Sequence, residues 1–341
     1  MLRAARRHLG SYRGFALFRV LILFIALLAG PALASGYTDH AGYAAFEARM
    51  VAEHGFEREE LRRWFDAAER KDSILEAIAR PAEKRLSWGE YRKIFVTPAR
   101  VDGGIAFWRD NAAELARAAE TYGVAPEVVV AIIGVETRYG DNMGSYRVID
   151  ALATLAFDYP PRGEFFAREL EQFLVMAREQ GFDPLALKGS YAGAMGMGQF
   201  IPSSFRAYAV DFDGDGHADI WQSRADAIGS VANYFNRHGW QHGAEVVVPA
   251  RALGPVATER MNPGLEPTVA AGELAALGVA AATSLPAEQK VLPMMLEGSD
   301  ATEYWLGLQN FYVITRYNRS PLYAMAVHQL SQDIRAGYER P

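Results

Sequence analysis

Apolar residues recur at helical spacing along most of the chain. Over residues 44–79 they lie three and four positions apart among many charges, which is typical of amphipathic helices. Three further stripes each end at a glycine that can take the left-handed conformation of a helix C-terminus. These stripes span 111–122, 165–180 and 225–238, and the glycines are Gly123, Gly181 and Gly239. A last helix is predicted at about 322–334, so the fold class is mainly α.

Two segments lack this pattern. Residues 81–107 are irregular and rich in aromatic side chains, and their simplest predicted role is packing between lobes. From 244 to 298, valine-rich and proline-rich runs replace the stripes, and 290–297 resembles a strand, which favours a small mixed or β insertion. The predicted organisation is therefore α+β, with a leader (1–34), an N-terminal helical lobe (35–110), a helical core (111–243), the insertion (244–300) and a return to the core with a terminal helix (301–341).

The first 34 residues have the composition of an export signal. Five arginines and no acidic residue accompany a short apolar run at 20–29, and Gly30-Pro31 then break any helix. The small residues at 32–34 suit signal peptidase, and the apolar run is shorter than the ~20 residues of a spanning helix. We therefore predict cleavage after Ala34 and export to the periplasm, with retention as a membrane anchor as the alternative.

Composition narrows the function further. The chain has no cysteine, which excludes disulfides and a lipid-modified N-terminal cysteine. Without the leader, 30 basic residues face 41 acidic ones, a net charge of −11, so nucleic acid is not an expected partner.

A carboxylate interrupts the apolar stripe of the helix predicted to begin at Pro126. Val129, Ile132 and Ile133 share one face, and Glu136 occupies the next position on it. Burial of a carboxyl group raises its pKa, which suits a general acid near neutral pH. From periodicity alone, a capping role or a pairing with Arg138 is the safer interpretation.

Longer motifs point to one family. The chain contains, in order, RPAEK, WGEYRKIF, FWRDN, AIIGVETRYG, DALATLAFDYPPRGEFF, LKGSYAGAMGMGQFIPSSF, DFDGDGHADIW, DAIGSVANYF and ITRYNRSPLYAMAV. Together these motifs closely resemble the lytic murein transglycosylase B family over nearly all of the mature chain. The resemblance implies a lysozyme-like helical core and a lyase that acts on peptidoglycan glycan strands.

The resemblance places the family's single catalytic acid/base on Glu136. It implies that this residue protonates the glycosidic oxygen between MurNAc and GlcNAc, then takes the proton of the C6 hydroxyl and leaves 1,6-anhydroMurNAc. Ordinary glycosidases place two carboxylates ~5–9.5 Å apart, whereas Asp141, Asp150 and Asp158 are interpreted as surface, cap or turn residues. A goose-type lysozyme-like hydrolase using Glu136 with water is the nearest alternative, and a non-catalytic peptidoglycan-binding scaffold is a more distant one.

The resemblance also implies a set of substrate-binding residues. Ser190 would meet the acetamido group, and Gln199 and Phe200 would line the glycan cleft. Arg162 would meet peptide or lactyl carboxylates, although Pro161 replaces a second arginine that is common there. The remaining cleft residues implied in this way are Tyr234, Tyr317, Asn318 and Tyr323, for which burial in the core is the alternative.

Residues 211–222 match an EF-hand loop over its first nine positions. Asp211, Asp213 and Asp215 offer carboxylates and His217 its backbone carbonyl at positions where such loops place calcium ligands. Position 12 is Gln222 rather than a bidentate Glu, so we predict either weak structural calcium binding or a self-hydrogen-bonded turn. No cofactor is required. The predicted partner is the glycan strand, with proteins of cell-wall synthesis or lysis as further candidates, and the enzyme is expected to be a periplasmic monomer.

Overall fold

The structure is a computed structural model that describes residues 36–80 and 86–340, so the predicted leader and its cleavage site lie outside the described residues. The helices are α1 Tyr43–His54, α2 Arg58–Ala67, α3 Asp72–Ile78, α4 Trp88–Phe95, α5 Pro98–Asp110, α6 Ala112–Tyr122, α7 Pro126–Thr137, α8 Val148–Asp158, α9 Gly163–Gln180, α10 Pro202–Tyr208, α11 Arg224–Arg237, α12 Gln309–Tyr317 and α13 Pro321–Tyr338. The strands are β1 Tyr146–Arg147, β2 Lys188–Gly189, β3 Val247–Ala252, β4 Val269–Ala270, β5 Val279–Ala281, β6 Lys290–Glu297 and β7 Thr302–Gly307.

Local capping signals set many of the helix ends. Gly123 and Gly181 take the left-handed conformation after α6 and α9, as predicted. Pro126 occupies the first turn of α7, where its missing N–H costs nothing. The thirteen α-helices among the described residues confirm the mainly α fold class, and the ends of α6 and α9 and the start of α7 lie where these signals predict them.

The prediction that 81–107 is irregular was wrong, because its described part forms α4 and α5. Ser87 and Glu90 make a reciprocal capping box at the start of α4, and Thr97 caps α5 ahead of Pro98. The glycines inside α5 have a packing reason, since a Cβ on Gly104 would lie 2.7 Å from the hydroxyl of Tyr139.

Helix α7 lies at the centre of the core. Residues 128–135 are all buried, and α5, α6, α11 and α13 pack around the helix. Its one buried charge, Glu127, pairs with Arg335 of α13 at 3.3 Å. A helix that is apolar on all sides must be enclosed by others, and this enclosure fixes the position of Glu136 at its C-terminal end.

Five strands form an antiparallel sheet in the order β4-β6-β7-β3-β5. Alternate residues of β6 serve two cores: Leu292 and Met294 join the main helical core, while Val291 joins a smaller cluster with Leu306. The small β insertion is confirmed. It extends to Gly307, past the predicted boundary at 300, because β7 pairs with both β6 and β3.

The N-terminal lobe is tied to the core by acidic residues of α8. Asp150 is buried, accepts two hydrogen bonds from Arg147 and receives the backbone N–H of Glu69. Asp158 accepts the hydroxyl of Tyr37 at 2.8 Å. Asp150 is therefore not a surface or turn residue. The carboxylates of Asp150 and Asp158 both hold the N-terminal lobe against the helical core.

No single helix within 36–80 or 86–340 is long and apolar enough to cross a membrane. Helices α6 and α7 meet the length and composition criteria only as a pair, and they are bent by 114° relative to each other.

Burial of His328 on α13 should make the free energy of unfolding depend on pH. Burial lowers the pKa of its ring to about 4, and its Nδ1 has no hydrogen-bond partner in the described part of the chain. Between pH 6.5 and about 4 only the unfolded state binds this proton, so the free energy of unfolding falls as the pH falls through that window. The expected loss from His328 is roughly 2–3 kcal/mol.

Urea titrations of the parent and of His328→Gln at pH 7 and pH 4.5 isolate this loss, because the other titrating groups are common to both proteins. The parent should lose more stability than the variant. Parallel losses in the two proteins would show that the ring takes up its proton normally in the fold.

Candidate active site

Glu136 lies on the last turn of α7 and is half-buried. The helix ends at Thr137, and the next two residues, Arg138 and Tyr139, have positive φ values of 53° and 65°. Non-glycine residues adopt this region rarely and at a cost in energy, which the surrounding structure must offset.

Two side chains hold this turn. The hydroxyl of Thr137 donates to the carbonyl of Met197 at 2.9 Å and accepts the N–H of Gly140 at 3.0 Å. The hydroxyl of Tyr139 donates to the carbonyl of Arg100 at 2.6 Å. The ring of Tyr139 lies so close to Gly134 that a Cβ there would be 2.5 Å from its oxygen. The backbone after Glu136 is therefore anchored on both sides.

Tyr323 contacts Glu136 directly. This buried residue of α13 donates its hydroxyl to Oε1 of Glu136 at 2.5 Å. Burial, together with the charge of Glu136, raises the pKa of Tyr323 well above its ordinary value. The same two causes raise the pKa of Tyr317. Both phenols therefore keep their protons at neutral pH and remain hydrogen-bond donors.

The segment 196–200 lies beside Tyr317 and the turn after Glu136. Gln199 has a φ of 52°, and its side-chain amide donates to the carbonyls of Gly196 at 2.9 Å and Met143 at 3.2 Å. Tyr317 donates to the carbonyl of Gly198 at 2.5 Å. The segment is thereby attached to both α12 and the loop after α7.

An aromatic cluster stands behind the segment. The rings of Phe200 and Tyr317 have centroids 5.9 Å apart, and Tyr234 lies 4.8 Å from Tyr317. Tyr234 is buried and donates to the carbonyl of Arg316 at 2.6 Å. Phe200 is buried as well. For Tyr234 and Phe200 these contacts are those of packed core residues that support the cleft wall.

The other predicted substrate residues differ in position. Ser190 accepts the N–H groups of Ala192 and Ala194, which shapes the loop leading to the segment 196–200. The side chain of Asn318, at the end of α12, has no hydrogen-bond partner among the described residues. Arg162 is exposed and stacks over Phe165, with its Cζ 4.3 Å from the ring centroid. Its guanidinium group also lies over the ring of Phe166, with the Cζ 5.0 Å from the ring centroid.

The acidic loop 211–222 is closed by its own hydrogen bonds. The N–H groups of Gly216, Gly214 and Asp215 point at the carboxylate of Asp211 and hold its pKa below the usual range. Ser223 donates to the carboxylate of Asp213 at 2.6 Å. These hydrogen bonds hold the carboxylates of Asp211 and Asp213 in place, and the choice between weak calcium binding and a self-hydrogen-bonded turn stays a prediction.

Asp226 is a candidate calcium ligand that the spacing rule missed. One carboxylate oxygen from each of Asp226, Asp211 and Asp213 lies within 4.8 Å of the others. Asp226 is buried on α11, which raises its pKa, while the N–H groups of Phe212, Asp219 and Asp213 act in the opposite direction. Gln222 at position 12 stays a predicted ligand, and Asp226 is a further candidate four residues later.

The family is decided by the sequence profile of the Transglycosylase SLT domain, which matches residues 38–332. The chain belongs to this family. It is 47% identical to the membrane-bound lytic murein transglycosylase B of Escherichia coli (strain K12) over 295 residues, which are 84% of this chain and 80% of that protein.

Solved structures of the family have the same fold. The catenated lytic transglycosylase SltB1 from Pseudomonas aeruginosa superposes with a TM-score of 0.85 at 54% identity, covering 87% of this chain and 98% of that one. The Escherichia coli lytic transglycosylase Slt35 in complex with calcium superposes with a TM-score of 0.83 at 45% identity, covering 90% and 96%. The expected fold, with its lysozyme-like helical core, is thereby confirmed.

Sequence reasoning missed the residues that shape the turn after Glu136. Thr137 acts through its hydrogen bond to the carbonyl of Met197, and Tyr139 acts through the close approach of its ring to Gly134. Neither contact produces a periodic pattern in the sequence. The available signal was Gly140, which marks the end of a helix but does not distinguish a strained turn from an ordinary one.

Proposed function

We propose that the protein is a lytic transglycosylase that cleaves the β-1,4 bond between MurNAc and GlcNAc of peptidoglycan and leaves 1,6-anhydroMurNAc, with Glu136 as catalytic acid and base. The observation that carries this proposal is the 2.5 Å hydrogen bond from buried Tyr323 to Glu136, at the end of a buried helix in a chain of this family. Such a carboxyl group can exchange protons with substrate on its exposed side.

The reaction has two proton transfers. Protonated Glu136 gives its proton to the glycosidic oxygen as the bond from that oxygen to C1 of MurNAc breaks. The acetamido group of the same sugar stabilises the positive charge that develops at C1. The carboxylate then takes the proton of the C6 hydroxyl while O6 bonds to C1, and Glu136 is again protonated. Tyr323 donates to the carboxylate between the two transfers and stabilises it.

A second carboxylate for hydrolysis is not evident near Glu136 along the chain. Asp150 is bound to Arg147, Asp158 to Tyr37, and Asp141 is exposed. A retaining or inverting glycosidase needs a second carboxyl group as nucleophile or as the base that activates water. The structural partners of Asp150 and Asp158 therefore favour internal ring closure over hydrolysis.

Digestion of purified sacculi followed by mass spectrometry of the fragments tests this proposal. Ends that are one water lighter than reducing MurNAc are expected. Reducing ends would instead support the goose-type hydrolase, and intact sacculi would support a binding scaffold.

We further propose that the acidic loop binds calcium with a structural role. The donors would be Asp211, Asp213 and Asp226, whose carboxylate oxygens converge. Calcium prefers several such oxygens in a flexible arrangement. The ion would supply no chemistry to the reaction.

A stability measurement distinguishes Asp226 from Gln222 as the ligand. Addition of calcium should raise the melting temperature of the parent by a few degrees, because a ligand that binds only the folded state stabilises it. The shift should persist in Gln222→Ala and disappear in Asp226→Asn. An equal shift in the Asp226→Asn variant would remove this residue from the site.

The proposed location is the periplasm, reached through the predicted leader at 1–34. The absence of cysteine leaves no residue for lipid attachment through a thioether, so we propose a protein released by signal peptidase. The proposed partner is the peptidoglycan strand, and the proposed state is a monomer.

A further inference from the structure

A cavity of about 410 Å³ lies beside the turn that follows Glu136. One wall is the turn itself, which contributes Arg138, Tyr139 and Asp141. The opposite wall is the end of α4 and the first turns of α5. The hydroxyl of Tyr139 joins the two walls, since it donates to the carbonyl of Arg100 on α5 at 2.6 Å. The cavity is therefore in direct contact with the turn in which Glu136 ends its helix.

Two guanidinium groups line this cavity without a carboxylate partner. Neither Arg100 nor Arg138 forms an ion pair with a residue within 36–80 or 86–340. Asp141, the acidic residue in the lining, is exposed and pairs with neither of them. Nη1 of Arg100 is buried and has no hydrogen-bond partner in the part of the chain that the structure describes. The lining therefore carries more positive than negative charge.

This arrangement costs free energy in the absence of an anion. Burial lowers the pKa of Arg100, and the charge of Arg138 lowers it further, so the two cations are close enough to repel each other. A guanidinium group that has lost part of its hydration is normally paired, because the loss is otherwise not compensated. The start of α5 adds to the positive potential, since a helix N-terminus carries N–H groups without intrahelical acceptors.

We propose that this cavity binds a phosphate group between the guanidinium groups of Arg100 and Arg138, at the N-terminal end of α5. Guanidinium groups match phosphate oxygens through paired hydrogen bonds. A phosphate dianion balances both cations, whereas a single carboxylate balances only one. The bound group would also link α5 to the turn after Glu136 and so stabilise that turn. Binding requires no step of the proposed reaction, so this site stands or falls independently of it.

The phosphate has two possible sources, free phosphate in solution and the headgroup of an anionic phospholipid. Ile94 distinguishes them. Its side chain lines the cavity and is 50% exposed, which is unusual for a large aliphatic residue. An apolar side chain beside a cationic site suits a membrane surface, where it enters the acyl boundary while the cations meet the headgroups. Free phosphate makes no use of such a side chain.

Thermal denaturation of the purified protein in phosphate and in chloride at equal ionic strength tests the site, because both salts then screen the arginines equally. Phosphate should raise the melting temperature by a few degrees more than chloride does. Arg100→Gln and Arg138→Gln should each weaken phosphate binding about tenfold, the factor expected for a hydrogen bond to a charged group. Arg138→Lys, which keeps the charge, should restore part of the affinity.

Two further measurements separate binding from a general effect on folding. Without phosphate, Arg100→Gln should be at least as stable as the parent, because it removes a charge that has no partner. The matched control is Arg251→Gln, at an exposed position of β3, which should bind phosphate like the parent. Equal effects of phosphate and chloride on the parent would overturn the inference, as would a phosphate effect that persists when Arg100 and Arg138 are both replaced.

Cosedimentation with phosphatidylglycerol vesicles, with phosphatidylcholine vesicles as the control, separates the two sources. Binding to phosphatidylglycerol that is weakened by both Arg138→Gln and Ile94→Ser would identify a lipid headgroup, and Ile94→Ser should still bind inorganic phosphate like the parent. Binding of inorganic phosphate without binding to vesicles would assign the site to free phosphate. A parent protein that binds neither would contradict the inference.

Discussion

Glu136→Gln is expected to lower the rate of glycan cleavage about a thousandfold, because general acid and general base catalysis each contribute roughly 10²–10⁴ and this side chain performs both. Glutamine has the same shape and still accepts the hydrogen bond of Tyr323, but it cannot donate or take the proton. The measurement is the initial rate at which purified sacculi lose turbidity, with the melting temperature recorded in parallel.

Glu120→Gln provides the matched control for this substitution. Glu120 is an exposed residue of α6 with no hydrogen-bond or ion-pair partner within 36–80 or 86–340, so the same chemical change there should leave the rate at the parent value. If Glu136→Gln retained more than a tenth of the parent rate, another group would have to supply the proton.

Tyr323→Phe is expected to have the second largest effect, a fall in kcat of about tenfold to a hundredfold with little change in KM. The variant loses only the hydroxyl that donates to Glu136 at 2.5 Å. A hydrogen bond to an ionised group contributes about 1.5–3 kcal/mol, and here it favours the carboxylate formed between the two proton transfers. Since the lost bond favoured the ionised form, the pH–rate profile should also move to higher pH.

Tyr338→Phe is the control for Tyr323→Phe. Tyr338 is also on α13, where its ring stacks on that of Trp108 with centroids 4.2 Å apart, and its hydroxyl donates no hydrogen bond to any residue that the structure describes. The pH–rate profile of Tyr338→Phe should coincide with that of the parent. A fall in kcat for Tyr323→Phe without a shift of the profile would indicate that Tyr323 orients the carboxyl group without tuning its protonation.

The sequence predicts those features of the fold that depend on neighbouring residues. The ends of α6 and α9 follow from Gly123 and Gly181, and the start of α7 from Pro126, because each signal acts within one turn. The sequence also placed Glu136 on a buried stripe, and the structure has it at the end of the most enclosed helix.

Features that depend on distant contacts were not predictable in this way. Residues 81–107 were predicted to be irregular, yet the described part is helical and the glycines of α5 make room for Tyr139, which follows α7 in the sequence. The predicted end of the insertion at residue 300 excluded β7. Its pairing with β3 joins residues far apart in the chain, so the local sequence gives no sign of it. Asp226 lies outside the regular twelve-residue loop, and only the folding of α11 brings it to Asp211.

In the proposed mechanism, Glu136 closes a ring within MurNAc rather than directing water to it. Digestion of sacculi in water enriched in the heavy oxygen isotope, followed by mass spectrometry of the new glycan ends, tests this most directly. The predicted result is anhydro ends without the heavy isotope, formed by the parent and not by Glu136→Gln. Reducing MurNAc ends that carry the heavy isotope at C1 would contradict the mechanism.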